Sequence, residues 1–527
     1  MRTRPTLLIA ALAGAVLLPA ARSPLAAGSF VQEPAPTEQH VTLTLTRDDY
    51  ERLLEVPFDV PAGTRRVEVS YVATGADART VIDLGLRGPS GLRGWSGGSL
   101  TRIWVSALGA SPGYLPGAIE PGRWAVVLGV PNIRDDRRDT VDVIIRFGDA
   151  DLPDGPVLAG RGPGWYVGDL HAHSAHSDGR VASRRGVRTG TPPYRVFEAA
   201  AAAGLDFVAL TDHNTASHWL DVDRLQPYFD DVLLLRGREI TTYRGHANAI
   251  GERAFHEFRL PSPSSSPAPV LAPAAADGAF VSINHPALPD GEPCMGCGWN
   301  LATPDVLAHV HGVEVVNGDA ADGPLSGWTF WATLLSAGNR LAAIGGSDEH
   351  TVADATDRQI GRPATVVWAR TLSERAIVDG LRAGRTYVRT RGPRGPVLED
   401  FHVRAGPVRA GLGETLPNGP GPREVRAQVR DADGQTLQLI ADGRVAGAAQ
   451  PDGRVATFAL PADARWCALV VRDAHGPTLM TSAIYVEPPE KKVGPRRPPR
   501  PDIRAGGSRW RSVDSMTGRR HGGLTPA

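Results

Sequence analysis

The chain has almost no lysine. Only two of its 57 basic residues are lysines, Lys491 and Lys492, and both lie near the end of the sequence, so the other 55 are arginines. A Schiff-base or pyridoxal-phosphate lysine, a P-loop lysine and a carbamylated lysine between two metals are therefore excluded from residues 1–490. The chemistry of this protein must use other side chains.

Cysteine is also scarce. The three cysteines are Cys294, Cys297 and Cys467, and an odd number leaves at least one thiol free or paired between chains. Because the closely spaced pair has no second pair to complete a zinc site, we expect Cys294 and Cys297 to form a small disulfide.

Net charge is absent as well, since 57 basic residues cancel 57 acidic ones. The chain has no overall field that would attract nucleic acid, and we do not expect duplex nucleic acid as a partner. Residues 488–527 differ, with ten basic residues against three acidic ones, a net charge of ten minus three, or +7. We expect this Pro/Arg-rich segment to be a disordered tail that makes at most weak contacts with an anionic surface.

The N-terminus has the order of features found in secretory signal peptides. Arg2 and Arg4 precede an apolar stretch at 7–18, which is followed by small residues at 20–27. The apolar stretch is too short to span a bilayer comfortably. We therefore predict a signal peptide over residues 1–28, export to the periplasm or the cell exterior, and no stable membrane insertion after cleavage.

The length of 527 residues predicts more than one domain. Short alternating apolar runs broken by Gly, Pro and Asp predict an N-terminal β-sandwich domain over 29–150. Apolar runs then alternate with helical segments such as 195–203, which predicts βα units on a parallel sheet over 160–396. Short strands return afterwards and predict a small C-terminal β domain over 400–487.

Histidines concentrate in the central segment, where eleven of the fifteen lie between His171 and His350. Nine residues follow or flank the ends of strand-like runs and are the predicted metal ligands: His171, His173, Asp178, His213, Glu239, His246, His285, Asp348 and His350. Strand ends gather on one face of a parallel barrel, so these side chains should converge on one cup. Imidazoles and carboxylates suit zinc, manganese or iron, and the set exceeds the needs of one tetrahedral ion. Two or three divalent ions are predicted.

Several motifs carry these residues, and together they resemble a known family. They are Asp169-Leu-His-Ala-His-Ser with Ser177-Asp-Gly, Leu210-Thr-Asp-His-Asn, Glu239-Ile-Thr-Thr with Gly245-His, Asn284-His-Pro, Val313-Glu-Val-Val-Asn and Gly346-Ser-Asp-Glu-His. The set resembles the polymerase and histidinol phosphatase (PHP) metallohydrolases, and within them the secreted CehA/McbA-type branch that includes carbaryl esterase. The resemblance is strong over residues 165–396.

The resemblance implies a fold and a division of the ligands. The fold is of the α/β class, a distorted (β/α)7 PHP barrel flanked by the N-terminal β-sandwich and the small C-terminal β domain. One ion would be held by His171, His173, Glu239 and Asp348; a second by Glu239 with His246 and His285; a third by Asp178, His213 and His350. Position 285 is histidine where some relatives have cysteine, so this ligand does not select among iron, zinc and manganese.

The predicted function is an exported metal-dependent hydrolase of phosphomono- or phosphodiesters, including nucleotides or oligonucleotide ends. The predicted nucleophile is a metal-bridged water, with no protein base assigned. Asn214 and Asn317 are candidates to orient the substrate, and Arg180 and Arg184 could bind a phosphate. Two alternatives stay open from the sequence. One is a carboxylic or carbamic ester hydrolase, and the other is a secreted binding protein in which the metal cup is structural.

Overall fold

The computed structural model describes residues 37–74, 79–158, 161–262, 264–292, 294–299, 301–352, 359–419, 421–450 and 455–487. The predicted signal peptide (1–28) and basic tail (488–527) lie outside the described residues. Among the described helices, none combines the length and the apolar character that crossing a membrane requires.

The N-terminal part consists of two four-stranded antiparallel sheets. Its strands are β1 (Glu38–Leu45), β2 (Leu53–Val60), β3 (Arg66–Ala73), β4 (Val81–Gly88), β5 (Gly91–Trp95), β6 (Arg102–Ser106), β7 (Gly122–Asn132) and β8 (Asp139–Gly148). The strand orders are β1-β8-β3-β6 and β2-β7-β4-β5. Alternate residues of β3 and β7, such as Val67, Val69 and Trp124, are buried in one core that both sheets share, as the two-residue period of a strand requires.

The central part alternates strands and helices. Its elements are β9 (Gly164–Asp169), β10 (Arg180–Ala182), β11 (Arg188–Gly190), α1 (Pro193–Ala203), β12 (Phe207–Leu210), α2 (Trp219–Leu225), β13 (Leu233–Thr242), β14 (Gly245–Ile250), α3 (Ala268–Ala276), β15 (Phe280–Ile283), α4 (Pro304–Leu307), β16 (Gly312–Asn317), α5 (Trp328–Ser336), β17 (Ala342–Gly346), β18 (Ala364–Ala369), α6 (Glu374–Arg382) and β19 (Thr386–Arg389).

Seven of these strands follow one another in the order β17-β16-β15-β14-β13-β12-β9. The pairs on either side of β14 are antiparallel, so the expectation of a wholly parallel sheet is wrong for this strand. Beyond the ends of β9 and β17, a parallel bridge joins Ala172 to Glu349. It brings the carboxyl ends of the first and last strands together, although the predicted seven-stranded barrel itself stays a prediction.

Helix positions follow from local sequence. Helix α1 starts at Pro193, buries Val196, Phe197 and Ala200 on one face, and ends at Gly204, whose φ of +74° allows the left-handed turn. Helix α6 begins after Ser373, whose hydroxyl accepts a hydrogen bond from the backbone N–H of Ala376. Both helices cover the sheet, and every residue of β12 is therefore buried.

The C-terminal part is built from short strands. They are β20 (Val397–Ala405), β21 (Val408–Ala410), β22 (Thr415–Leu416), β23 (Glu424–Arg430), β24 (Thr436–Ala441), β25 (Arg444–Ala449), β26 (Val455–Ala459), β27 (Trp466–Asp473), β28 (Gly476–Thr481) and β29 (Ile484–Val486). Four of these strands form the sheet β21-β20-β23-β26.

The C-terminal strands are continuous with the central sheet. Strand β28 pairs with β19, where Tyr387 lies opposite Thr481 and Arg389 opposite Leu479. The central sheet thus continues through β18, β19, β28, β27, β24 and β25. The predicted mixed α/β class is confirmed at this coarse level, in a chain that is mostly sheet, while the predicted domain boundaries stay predictions.

Candidate metal centre

All nine predicted ligands meet at one edge of the central sheet. Seven of them line a cavity of about 480 Å³: Asp178, His213, Glu239, His246, His285, Asp348 and His350. His171 and His173 form its fully buried floor. We call this arrangement of nine side chains the cup. His246 belongs to it because β14 runs antiparallel, so that its first residues lie at the edge where the parallel strands end.

Glu239 lies at the centre of the cup. Its Oε2 atom is 3.4 Å from Nε2 of His171 and 2.8 Å from Nδ1 of His213. Its Oε1 atom is 3.3 Å from Nδ1 of His246 and 3.3 Å from Nε2 of His285. Oε2 is also 3.6 Å from Nε2 of His173. Each carboxylate oxygen therefore faces at least two imidazoles, which is the arrangement expected of a carboxylate that bridges two ions.

Asp348 joins three imidazoles on the opposite side. Its Oδ1 atom is 3.3 Å from Nε2 of His171, 3.1 Å from Nε2 of His173 and 3.6 Å from Nδ1 of His350. The backbone places this carboxylate at φ +53°, an uncommon conformation for a residue other than glycine. His285 is also at positive φ, +28°. Such backbone conformations concentrate at functional sites.

Asp178 lies at the open rim of the cup. Its Oδ1 atom is 3.3 Å from Nε2 of His350, 3.6 Å from Nε2 of His213 and 3.9 Å from Nδ1 of His173. The side chain of Asp178 is 53% exposed, whereas His173 is fully buried. The rim therefore faces solvent and the floor does not.

The ligands fall into groups that differ slightly from the predicted division. Ligand atoms within 4.8 Å of one another occur in three groups within the cup: His173, Asp178, His213 and His350; His171, His173 and Asp348; and His171, Glu239 and His285. His173 joins the rim group as well as the floor group. The resemblance assigned it to the floor ion alone. The resemblance also placed His246 with Glu239 and His285, whereas His171 completes that group and His246 groups with Cys294 and Cys297.

Three buried atoms of the cup make no hydrogen bond of suitable geometry among the described residues, although one of them, Oε2 of Glu239, is in ion-pair contact with His213. They are Nε2 of His171, Nδ1 of His173 and Oε2 of Glu239. A buried polar atom without a partner costs about 1–3 kcal/mol. Divalent zinc, manganese or iron accepts this set of nitrogen and oxygen donors. The residues present therefore fit divalent ions.

Groups outside the cup hold several imidazoles in the orientation that a metal needs. Nδ1 of His171 is 3.0 Å from Oε1 of Glu314, and Nε2 of His246 is 3.1 Å from the carbonyl oxygen of Met295. Both partners accept hydrogen bonds, so the proton lies on these outward nitrogens. The nitrogens that face the cup are therefore the ones that can offer a lone pair to a metal, once any second proton on the imidazole has been displaced.

Asn284 and Glu314 fix the carboxylates and the backbone of the site. The Asn284 amide donates to Oε1 of Glu239 over 2.9 Å. Oε2 of Glu314 accepts from the backbone N–H of His285 over 2.9 Å and from the amide of Asn317 over 3.0 Å. Neither role was predicted from the sequence, although Glu314 is a single acidic residue inside the apolar run of β16.

The electrostatics of the cup follow from burial and close opposite charges. Burial alone would lower the pKa of His171, but the carboxylates of Asp348, Glu239 and Glu314 raise this pKa well above its ordinary value. Burial would raise the pKa of Glu239, but the neighbouring imidazoles of His213 and His171 hold it well below its ordinary value. Glu239 is therefore ionised and ready to bind a cation.

His173 and His213 differ in charge. Burial, together with the neighbouring His350 and His213, lowers the pKa of His173 to about 4. Although burial opposes it, the Glu239 carboxylate raises the pKa of His213 to about 9. His173 is thus neutral near pH 7, as a metal ligand must be, whereas binding at His213 would displace a proton.

The four predicted substrate residues lie in different places. The side-chain amide of Asn214 makes two 2.9 Å hydrogen bonds with the backbone of Thr241, and Asn317 is buried with its amide pointing to Glu314. Arg180 donates to the carbonyl oxygen of Gly179 over 3.0 Å. Arg184 is exposed on the turn between β10 and β11. None of the four lines the cup cavity, and their role in substrate binding stays a prediction.

The predicted disulfide between Cys294 and Cys297 is present, and Cys467 is a buried free thiol. Both disulfide cysteines line the cup cavity together with Met295. The position of this loop beside the cup was not predicted from the sequence.

No protein-family model matches the chain, and no curated protein matches it. Among solved structures, it is similar to a two-domain protein from Bacteroides vulgatus described as containing a predicted PHP-like metal-dependent phosphoesterase. The identity is 19%, the TM-score is 0.35, and the match covers 64% of this chain and 97% of that one. A candidate metal-dependent phosphoesterase from Bifidobacterium adolescentis is also 19% identical, with a TM-score of 0.27 and coverage of 37% and 90%. Both likenesses are low, so the functional assignment depends on the site.

Proposed function

We propose that this chain is an exported metal-dependent hydrolase that cleaves phosphoester bonds. The observation that carries the proposal is the Glu239 carboxylate, whose two oxygens face five imidazoles, while buried nitrogens of His171 and His173 lack hydrogen-bond partners among the described residues. Two or three manganese, iron or zinc ions would be bound by the nine residues of the cup.

The buried residues of the cup would hold ions, and the exposed residues of the rim form the entrance for substrate. Bound divalent ions supply hydroxide from water near neutral pH and stabilise the anionic transition state of ester cleavage. His171 and His173 are fully buried and hold the floor, whereas the side chains of His350 and Asp178 are 30% and 53% exposed. Substrate therefore enters from the rim.

Once its imidazoles bind ions as neutral ligands, the cup cavity has no positive side chain of its own, because none of the residues that line it is lysine or arginine. The described central segment contains no lysine, and the guanidinium of Arg180 is bound to backbone carbonyls. A phosphate at the rim would depend on the ions for charge neutralisation, so activity should be lost when the metal is removed.

The motifs support a place in the CehA/McbA-type branch of the PHP metallohydrolases, with a distorted seven-stranded barrel around the cup. The charged and apolar order of the first 28 residues supports export. The balanced charge supports a small ester, a nucleotide or a short oligonucleotide end as substrate rather than duplex nucleic acid.

A second candidate function is hydrolysis of carboxylic or carbamic esters. A cavity of about 580 Å³ adjoins the cup and shares Thr241 and Met295 with it. Its other walls include the apolar side chains of Phe258 and Leu260. Ligand pockets of about 300–1,000 Å³ with largely apolar walls suit small organic groups. This neighbourhood favours an ester that carries an apolar substituent.

The test combines metal content with a choice of substrates. The metal content of the purified protein would be determined by elemental analysis, beside turnover of p-nitrophenyl phosphate, bis-p-nitrophenyl phosphate and p-nitrophenyl acetate. His171→Ala and Glu239→Gln should lose metal and activity together. His309→Ala, which alters a histidine outside the cup, is the matched control and should retain both.

Each result decides between the functions. Two or three equivalents of metal with phosphoester turnover would support the proposal, and turnover of the acetate alone would support the second candidate. Metal without turnover of any of the three would favour a binding protein with a structural cup. Less than one equivalent after reconstitution would refute the metal centre.

A further inference from the structure

A four-residue loop closed by a disulfide lies against the cup. Cys294 and Cys297 are joined, with their Cα atoms 5.5 Å apart, and Met295 and Gly296 lie between them. The loop follows β15, the strand that leads into His285. We call residues 294–297 the disulfide loop.

Two carbonyl groups of the disulfide loop contact two ligands of the cup. Nε2 of His246 is 3.1 Å from the carbonyl oxygen of Met295, and Nδ1 of His285 is 3.2 Å from the carbonyl oxygen of Cys297. A carbonyl oxygen only accepts, so both imidazoles must carry their proton on the nitrogen that faces the loop. Their other nitrogens each lie 3.3 Å from Oε1 of Glu239. The loop thus sets which nitrogen each histidine presents to an ion.

The loop is held in place from both sides. Gly296 has φ +83°, and a Cβ atom there would lie 2.1 Å from the carbonyl oxygen of Thr242, so the loop is pressed against the β13–β14 hairpin. The backbone N–H of Gly296 donates to Oδ1 of Asp290 over 2.7 Å. Cys294 exchanges two backbone hydrogen bonds with Gly291, of 3.0 and 3.2 Å. The disulfide completes this restraint, because the carbonyl carbon of Met295 belongs to the ring that it closes and the carbonyl group of Cys297 is attached to that ring at the Cα atom.

The sulfur atoms are also close to one of the two histidines. A ligand nitrogen of His246 and the sulfurs of Cys294 and Cys297 lie within 4.8 Å of one another. In the disulfide these sulfurs are poor ligands, whereas two thiolates would compete for zinc beside His246. Reduction would free the loop, so that the carbonyl groups of Met295 and Cys297 could move away from the two histidines. It would also create two thiolates that can act as alternative metal ligands.

We infer that the disulfide loop is a positioning element of the metal centre, and that the affinity of the Glu239 ion depends on the Cys294–Cys297 disulfide. The inference rests on the proposed function only in requiring that the cup binds ions. In the reductive step a water-soluble phosphine cleaves the S–S bond. The phosphine is oxidised to its oxide with oxygen from water, and the two hydrogens of that water end on the two thiols. Loss of such outer contacts weakens metal binding by about 10–100-fold.

The experiment measures manganese affinity by calorimetry on the full-length, metal-depleted protein, before and after treatment with the phosphine. Manganese is chosen because thiolates bind it poorly, so weaker binding reports on the histidines. We expect one manganese site to weaken about 10–100-fold on reduction and to recover after reoxidation with a disulfide compound. The double variant Cys294→Ser/Cys297→Ser should bind as weakly as the reduced protein and respond to neither reagent. Cys467→Ala, the matched control for the free thiol, should respond like the unaltered chain.

Two results would overturn the inference. Equal manganese affinity in the oxidised, reduced and double-variant proteins would show that the loop does not position the ligands. A loss on phosphine treatment that persists in the double variant would show an effect unrelated to this disulfide. If no form of the protein bound manganese, including the oxidised one, the metal centre itself would be refuted. That result differs from the two results above, in which manganese still binds to the oxidised protein.

Discussion

Nδ1 of His171 lies 3.0 Å from Oε1 of Glu314, and both side chains are fully or almost fully buried. The same carboxylate accepts hydrogen bonds from the backbone of His285 and from the amide of Asn317. One residue of β16 therefore orients a floor ligand and fixes the backbone of another. Glu314 itself belongs to none of the groups of ligand atoms.

Replacing Glu314 tests this arrangement. Glu314→Gln keeps the shape of the side chain but removes its charge, and we expect metal affinity to fall by about 10–100-fold, as is typical of such partners of metal-bound histidines. Calorimetric titration of the metal-depleted protein would measure it. Glu198→Gln, at an exposed carboxylate of α1, is the control and should bind like the unaltered chain. Equal affinity in both variants would exclude Glu314 from this role.

The exposed rim predicts that the ions differ in affinity. Asp178 is 53% exposed and is the only carboxylate in its group of ligand atoms among the described residues, whereas Asp348 is largely buried and contacts three imidazoles. Asp178→Asn should therefore lose about one equivalent of metal while the other ions remain. Asp348→Asn should lose more. Elemental analysis after exhaustive dialysis would measure both, and full metal content in Asp178→Asn would contradict the assignment of the rim ion.

The convergence of these side chains was predictable because most of them follow or flank strand ends, where the shared edge of the sheet determines their neighbourhood. Glu239 lies inside β13 and Asp178 lies just before β10, so these two positions depart from that rule. The role of Glu314 was not predicted. Its place in an apolar run marks it as unusual, but only the fold shows that it contacts His171, which follows β9. The loop carbonyls of Met295 and Cys297 were hidden for a similar reason, since any residue carries a carbonyl group. Sequence motifs report side-chain chemistry and are silent about backbone partners.

The fold, too, was predictable where local sequence determines an element and not where strands pair over a long range. The alternating run at Val67 and Val69 and the helical run at Val196, Phe197 and Ala200 correctly indicated a strand and a helix. The reversed direction of β14 was not predictable from its own residues, since an apolar run has the same pattern in either direction. The pairing of Tyr387 with Thr481, which joins the C-terminal strands to the central sheet, is a long-range choice that local periodicity does not encode.

A buried ion pair behind the cup offers a test of stability. Arg238 and Glu252 are both fully buried and make two hydrogen bonds of 2.7 and 2.9 Å. Glu252→Gln would leave an uncompensated buried guanidinium, and we expect it to lower the free energy of unfolding by about 3–5 kcal/mol. Replacing both, Arg238→Met with Glu252→Leu, should restore most of that loss.

The control is a pair of the same geometry at the surface. Arg87 and Glu55 also make two hydrogen bonds, of 2.7 and 2.9 Å, but their side chains are 44% and 52% exposed. Glu55→Gln should change the free energy of unfolding far less than Glu252→Gln does, because solvent screens an exposed pair. Chemical unfolding of the metal-free protein would measure all variants. Similar losses in Glu252→Gln and Glu55→Gln would show that burial does not decide the strength of these pairs.

Asp223 predicts how stability depends on pH. Burial raises the pKa of this α2 carboxyl to about 6, and the nearby Arg236 opposes the rise only in part. The guanidinium of Arg236 is already bound to Glu374 over 2.6 Å, and Oδ2 of Asp223 has no hydrogen-bond partner among the described residues. The folded chain therefore holds the Asp223 proton more tightly than the unfolded chain, in which aspartate titrates near about 3.9.

Titration of Asp223 therefore lowers the free energy of unfolding of the protein as pH rises from about 4 to about 6. Above that range its effect is constant. Asp223→Asn removes this loss. The side chain is half-buried, and its contact with solvent weakens the effect of burial. We therefore expect the free energy of unfolding of Asp223→Asn to be higher by about 1–2 kcal/mol at pH 7.5 and unchanged at or below pH 4. Asp230→Asn, at an exposed carboxylate on the following loop, is the control. Urea unfolding of the metal-free protein across this pH range would measure the difference. An effect of Asp223→Asn that is the same at pH 4 and pH 7.5 would show that folding does not change the pKa of this carboxyl.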